Sequence, residues 1–175
     1  MPVSHPMTYR VLVSTDLGGD RDDIQSLFRL IHFSDLLRVE GIVSCTGPGS
    51  TPSAELIGEW VRRVDVDHLR ARGRRELMAE REVLAGVKQG AVSSGAPSPA
   101  RATEGSRWIV QRAQAPDPAG LERPLWVLGW GSLTDVAQAL HDAPSIAGRI
   151  RLYSIGSSNT VNDPASRDYL YTGLA

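Results

Sequence analysis

A short apolar run, Val11-Leu-Val13, passes through Ser14 and Thr15 into Asp16-Leu-Gly-Gly-Asp20-Arg-Asp22-Asp23. Beyond it, Ile24, Leu27, Phe28 and Ile31 recur at helical spacing. A strand, a glycine turn and an amphipathic helix in that order open an α/β unit. No other stretch constrains the chain as strongly. In an open parallel sheet, ligands bind in the crevice beyond the carboxyl ends of the strands. The four aspartates of residues 16–23 stand at that end of the first strand. Carboxylates this close raise one another's pKa unless a cation or hydrogen bonds offset the repulsion. Hard oxygen ligands of this kind suit Ca²⁺ or Mg²⁺. The plain alternative is a solvated acidic loop capping a helix, since Asp and negative charge are both favoured at helix starts.

The same alternation runs to the end of the chain. Tyr9–Ser14 predicts the first strand, a continuous apolar run suited to a sheet buried on both faces. Leu37–Cys45, Leu125–Trp130 and Ile150–Ile155 predict three more. Thr51 and Pro52 predict the start of a helix with Leu56, Ile57, Trp60, Val61 and Val64 on one face. The charged segment Asp65–Gly90 reads as helical, with Leu77, Leu84 and Val87 facing inward. Further helices are predicted over Arg107–Ala115, after Gly131-Ser132, and after a cap at Asp163-Pro164. Gly90–Ala102, rich in Ser, Gly, Pro and Ala, reads as a long loop of the kind that borders sites. Repeated strand–helix alternation argues one α/β domain over residues 1–175. Its expected form is a three-layer, mostly parallel sheet flanked by helices around a Rossmann-like core.

Charge and motif content narrow the function. A net charge of −1 gives no electrostatic case for nucleic acid or an anionic membrane as partner. The basic run Arg70–Arg75 reads as a solvated face. Cys45 is the single cysteine, so it builds no disulfide framework and reads as a small core residue. Residues 1–10 lack a signal-peptide pattern, and no run approaches the ~18–20 apolar residues of a membrane span, so the expected location is cytoplasmic. Asp16-Leu-Gly-Gly breaks the EF-hand pattern, and neither phosphate-binding glycine motif is present. Asp20-Arg-Asp22 could serve as the D-x-D of a Mg²⁺-dependent phosphatase, although it follows the glycines rather than the strand end.

The run Thr15–Asp23 resembles the N-terminal aspartate motif of the nucleoside hydrolases, D-x-D-P-G-x-D-D, with extra residues between the first aspartate and the final pair. That longer spacing is similar to a nucleoside hydrolase-like branch often labelled cellulose-binding proteins. Gly41-Ile-Val-Ser-Cys-Thr46 resembles the family's second strand, although Pro48 or a neighbour stands where the family has a ribose-contacting Asn. Trp130-Gly-Ser-Leu-Thr-Asp-Val-Ala137 resembles T-G-x-L-T-N-[IL]-A, and Ser157–Pro164 resembles E-x-N-x-x-x-D-P, with Ser157 in place of Glu.

The resemblance implies a fold, an ion and a chemistry. Asp16 and Asp23 would ligate Ca²⁺ (Mg²⁺ being the alternative) through carboxylate oxygens, and Trp130 through its carbonyl. Asp22 and Asn159 would bind the sugar, and Asp16 would act as the catalytic base. The implied reaction is hydrolysis of an N-glycosyl, nucleoside-like or related glycosidic bond by metal-activated water. The partner is then a small sugar or nucleoside-like molecule, and a homo-oligomer is compatible with it. A carbohydrate-binding protein without turnover is the alternative. In that case Trp108, Trp126 and Trp130 would offer stacking surfaces, although tryptophans in strands are more often core. The family's further metal-binding Asp, and its His beside the leaving group, have no counterpart before Ala175. The expectation is therefore a domain incomplete at its C-terminus, with weak metal binding and activity if it acts alone.

Overall fold

The computed structural model describes residues 9–156 and 158–172. Its strands are β1 (Tyr9–Thr15), β2 (Leu37–Ser44), β3 (Val87–Lys88), β4 (Leu125–Gly129) and β5 (Ile150–Ser154). They form one sheet in the order β3-β2-β1-β4-β5, with every pairing parallel. The apolar run at the head of the chain is thus the central strand. Its side chains alternate between two cores, Val11 and Val13 into one and Leu12 into the other.

Helices α1 (Arg21–His32), α2 (Ala54–Arg63), α3 (Val66–Ala71) and α4 (Glu80–Ala85) bury their apolar faces in the first core. Helices α5 (Glu104–Gln114) and α6 (Thr134–Asp142) fill the second. The short α7 (Ser158–Asn162) follows β5, and α8 (Pro164–Thr172) packs on α6. In α1 the side chains of Leu27, Leu30 and Ile31 are buried. At about 1.5–3 kcal/mol for each fully buried aliphatic side chain, packing rather than helix propensity holds this element.

The three-layer parallel architecture is as the sequence implies. The differences are local. Ser53, not Thr51, caps α2, its side chain accepting from Leu56 N–H, so Pro52 lies before the helix. Asp65–Gly90 is not one helical segment. Two short helices flank a turn in which Leu77 is fully buried, and the segment ends in the two-residue β3. A strand so short carries no alternation for sequence reasoning to detect. Helix α5 begins at Glu104, three residues before Arg107, because Thr103 caps it by accepting from Ser106 N–H at 2.8 Å. Ser157 lies outside the described residues. Among the described residues, no helix is long and apolar enough to cross a membrane.

The β1–β2 ladder shifts register between Val11 and Leu12: Val11 pairs with Val39 but Leu12 pairs with Gly41. Glu40 is the surplus residue, a β-bulge. Val39 and Ile42, three residues apart, consequently both enter the first core. The bulge directs Glu40 to a buried ion cluster. Arg10 donates to both of its carboxylate oxygens at 2.8 and 2.9 Å, and Arg112 donates at 3.0 and 3.1 Å. Arg10 also donates to the Arg112 carbonyl at 2.8 Å, and Trp108 Nε1 donates to the Glu40 carbonyl at 2.9 Å. The cluster ties β1, β2 and α5 together. At the far edge, β5 buries only Ile150, while Tyr153 is 65% exposed and, just beyond the strand, Ile155 is 50% exposed.

Burial alone would raise the Glu40 carboxyl, but the hydrogen bond from Arg10 and the charges of Arg10 and Arg112 hold it below the usual glutamate value. Its stabilising contribution is therefore present above the unfolded-state pKa and is lost as pH falls through the lower native one. Glu40→Ala leaves Arg10 buried without a counter-charge. It should cost about 3–5 kcal/mol in urea denaturation at neutral pH. The gap from wild type should narrow as the solution is acidified below the ordinary glutamate range.

Candidate active site

Three strand ends meet at Asp16. The Cys45 N–H donates to the Thr15 carbonyl at 2.8 Å, drawing β2 to β1, and the Trp130 N–H donates to the Ser14 carbonyl at 2.8 Å, drawing β4 in from the other side. Across the gap, the loops after β2 and β4 join through Thr46 Oγ1 donating to Ser132 Oγ at 2.9 Å and Ser132 N–H donating to the Thr46 carbonyl at 3.0 Å. The turn back into α1 closes with Gly19 N–H donating to the Asp16 carbonyl at 3.2 Å.

The Asp16 carboxylate sits in the middle of this junction, 7% exposed. It fits only because both neighbouring loops present glycine. A Cβ on Gly47 would overlap the carboxylate, and one on Gly131 would lie 2.8 Å from its Cγ and 2.6 Å from the Cys45 sulfur. Burial, followed by the charge of Asp23 and smaller contributions from Asp20 and Asp22, raises the Asp16 carboxyl from 3.8 to about 6. Burial also raises Asp23, with Asp22 and Asp20 adding to the effect. The strongest charges acting on both groups are therefore other carboxylates. Asp22 is exposed at the first turn of α1, and Asp20 is exposed at the N-cap without a side-chain capping bond. Among the described residues, no three His, Cys, Asp or Glu side chains converge as a ready-made metal cluster.

Beside Asp16 opens a cavity of about 220 Å³ lined by Thr46, Gly47, Pro48, Ser94, Ser132, Asn159 and Asn162. Asn159, on α7, donates from Nδ2 to the Trp130 carbonyl at 2.8 Å. Two residues singled out in separate segments of the sequence are thus in direct contact, and the Asn159 side-chain oxygen remains an acceptor. The loop over residues 90–102 reaches the cavity at Ser94, whose hydroxyl donates to the Asn162 carbonyl at 3.4 Å. Fully buried Asp135 fastens both ends of that loop, accepting from Ala91 N–H at 2.9 Å and from the Thr103 hydroxyl. Asp163 joins α6 to α8 by accepting from Leu133 N–H, Thr134 Oγ1 and Ser166 N–H.

The structure therefore places Asp23 close enough for its charge to raise Asp16, sets the Trp130 carbonyl against Asn159, and leaves Asp22 at the solvent edge. Sequence reasoning gave no site role to Thr46, Ser132 and Asn162, although they lie inside the segments Gly41–Thr46, Trp130–Ala137 and Ser157–Pro164, and it did not single out Ser94 in the long loop. Trp108, Trp126 and Trp130 are half-buried. Trp126 and Trp130 pack against the first core, and Trp108 packs against the second with Lys88 and Arg112 over its ring. Cys45 is fully buried and its thiol is pushed up to about 12, as befits an inert core residue.

A parallel sheet with a buried aspartate at its central strand end, bordered by a small polar cavity, has close counterparts in fold. A nucleoside hydrolase-related hypothetical protein from Saccharophagus degradans, described as associated with carbohydrate metabolism, aligns with a TM-score of 0.76 at 21% identity, covering 88% of this chain and 40% of that one. The inosine-uridine preferring nucleoside hydrolase from Bacillus anthracis aligns at 0.60 and 17% identity, covering 95% and 62%. The purine-preferring ribonucleoside hydrolase from Gardnerella vaginalis aligns at 0.58 and 18%, covering 93% and 57%. The chain thus spans about half the length of these structures. No curated protein matches its sequence. The fold defines a nucleoside hydrolase-like domain. Residues 10–171 match the family model for the nucleoside hydrolase-like domain of cellulose-binding Sde182, and the chain belongs to that family.

The raised Asp16 pKa has a consequence for stability. A carboxyl with a higher pKa in the native state holds its proton more tightly there than in the unfolded chain. The contribution of this one group to stability is therefore most favourable below pH ~4, becomes less favourable as pH rises from ~4 to ~6, and is level above that. In chelator-treated protein, Asp16→Asn should be more stable than wild type by about 2–3 kcal/mol at pH 7.5 and equal to it near pH 4. Thermal unfolding of both chains across that range measures the difference.

Proposed function

We propose that this domain hydrolyses the glycosidic bond of a nucleoside or a related glycoside, with Ca²⁺ bound at the end of β1. The observation that carries the reading is the Asp16 carboxyl, buried at the junction of three strand ends beside a polar cavity and raised to about 6. At that value it is largely ionised at neutral pH yet remains a better proton acceptor than an ordinary aspartate.

The donor chemistry fits a hard divalent ion. The charge of Asp23 raises Asp16, and the Trp130 carbonyl, which accepts from Asn159, would supply a neutral oxygen as a further ligand. When bound, such an ion would supply a water of lowered pKa. Asp16 takes the proton from the attacking water as the oxygen bonds to the anomeric carbon and the glycosidic electron pair leaves with the departing group. The surrounding carboxylates favour the positive charge that develops on the sugar. Asp22, exposed at the first turn of α1, accepts from sugar hydroxyls, and Asn159, on the cavity lining, offers its side-chain oxygen.

Inosine, uridine and a nitrophenyl riboside, each assayed with added Ca²⁺ and after chelation, test the reading. Turnover should require the ion, and Asp16→Asn should lower it about 10²–10⁴-fold. The family's cellulose-binding description favours a second reading, in which the same groups hold a sugar without cleaving it. Saturable sugar binding with no product from any of the three substrates would select that reading.

Asp23→Ala should abolish Ca²⁺ binding in calorimetry while circular dichroism stays unchanged, because its half-buried side chain is not part of either core. Undiminished affinity in that variant would remove the ion from the mechanism.

A further inference from the structure

The opposite end of the sheet carries a second cavity, of about 610 Å³, that the proposed hydrolase chemistry does not use. Arg10, at the start of β1, lines it, whereas Asp16 lies past the far end of the same strand. Six residues of extended chain set the two regions about 20 Å apart. One wall is the connection from α5 to β4. That connection is braced by Asp117, which accepts from Arg123 Nε and Nη2 at 2.6 and 2.8 Å and from Ala119 N–H at 2.9 Å. The rest of the lining comes from the 3-10 turn Pro144–Arg149 and the β5 strand that follows it, with Arg149 and Arg151.

The charges here are not balanced internally. Arg10 is matched by Glu40, and Arg123 by Asp117. Arg149 spends one donor on the Gln114 carbonyl at 3.3 Å, and Arg151 one on the Ile150 carbonyl at 2.9 Å. Neither has a carboxylate at ion-pair distance among the described residues. A guanidinium carries five N–H donors, so most of theirs remain open. Glu122 is the other carboxylate on the lining, which leaves the two arginines in excess over it. Leu121, 44% exposed, and Pro116 add an apolar surface to the same cavity.

We propose that this cavity binds a small organic oxyanion, a phosphate ester or a carboxylate, whose charged end pairs with Arg149 and Arg151 while its apolar body lies on Leu121 and Pro116. The forked geometry of guanidinium suits either oxyanion. The volume is that of a small-molecule site. Because the cavity shares no lining residue with the aspartate site, occupancy of one leaves the other open.

Calorimetry on the full chain with phenyl phosphate, benzoate and phenol tests this. None of these probes carries a sugar that the aspartate site could take. Saturable binding of phenyl phosphate or benzoate, but not of phenol, is expected, and the tighter of the two anions identifies the class. Arg149→Gln with Arg151→Gln should weaken it about tenfold or more. Both side chains are exposed, so the fold should be retained, and Asp16→Asn should bind as wild type does. The Lys–Lys double variant keeps the charge but loses the fork and should bind more weakly than wild type. Absence of saturable binding by either anion, full affinity in the Gln–Gln or Lys–Lys variant, or equal binding of phenol would each overturn the proposal.

Discussion

An acid that must ionise while almost out of water is costly unless its surroundings are arranged for it. Asp16 sets that problem where β1, β2 and β4 end, and much of the upper face of the molecule answers to it. The loops on either side come within van der Waals contact of the carboxylate only because positions 47 and 131 lack side chains. The paired backbone bonds from Cys45 and Trp130 fix those loops against β1. The other aspartates crowd the same end instead of relieving it. Stability is thus given up at the point where the proposed cation would recover it, a trade common at functional sites.

The lower end of β1 works in the opposite sense. There a buried carboxylate is surrounded by cations, with two arginines forked onto Glu40 and the Trp108 indole holding the backbone beside it. One strand therefore joins a satisfied ionic cluster at its start to an unsatisfied acidic cluster at its end. The first anchors α5 to the sheet. The second leaves charge available to a ligand. Loop 90–102 is held at the acidic end by Asp135, which uses its carboxylate on the backbone and on a hydroxyl.

Most of the architecture was legible in the residues because burial on two faces produces long apolar runs and amphipathic helices produce period-3.6 stripes. Thus β1, β2, β4, β5 and α1 stand within one or two residues of where the pattern puts them. The two-residue β3 and the broken helix before it left no such trace, since their order depends on Leu77 and Val87 meeting the first core rather than on local periodicity. At the site, Asp16, Asp23, Trp130 and Asn159 were marked by motifs. The cavity that Thr46, Ser94, Ser132 and Asn162 line together was not, because the convergence of four separate segments is a property of strand order, which a single sequence does not display. Glu40 was equally hidden, because its partners lie 30 and 72 positions away.

The bulge at Glu40 separates two qualities of β2 that usually go together, its length and its facing. Since Val39 and Ile42 share a layer only because one surplus residue intervenes, the strand holds position 40 for its charge and not for its ladder. A chain shortened by that single residue would pair with β1 without interruption and would keep both aliphatic side chains on their present side. Its difficulty would be electrical: two guanidinium groups would face each other inside the protein, so tolerance of the shorter strand would hinge on an uncharged residue at position 10.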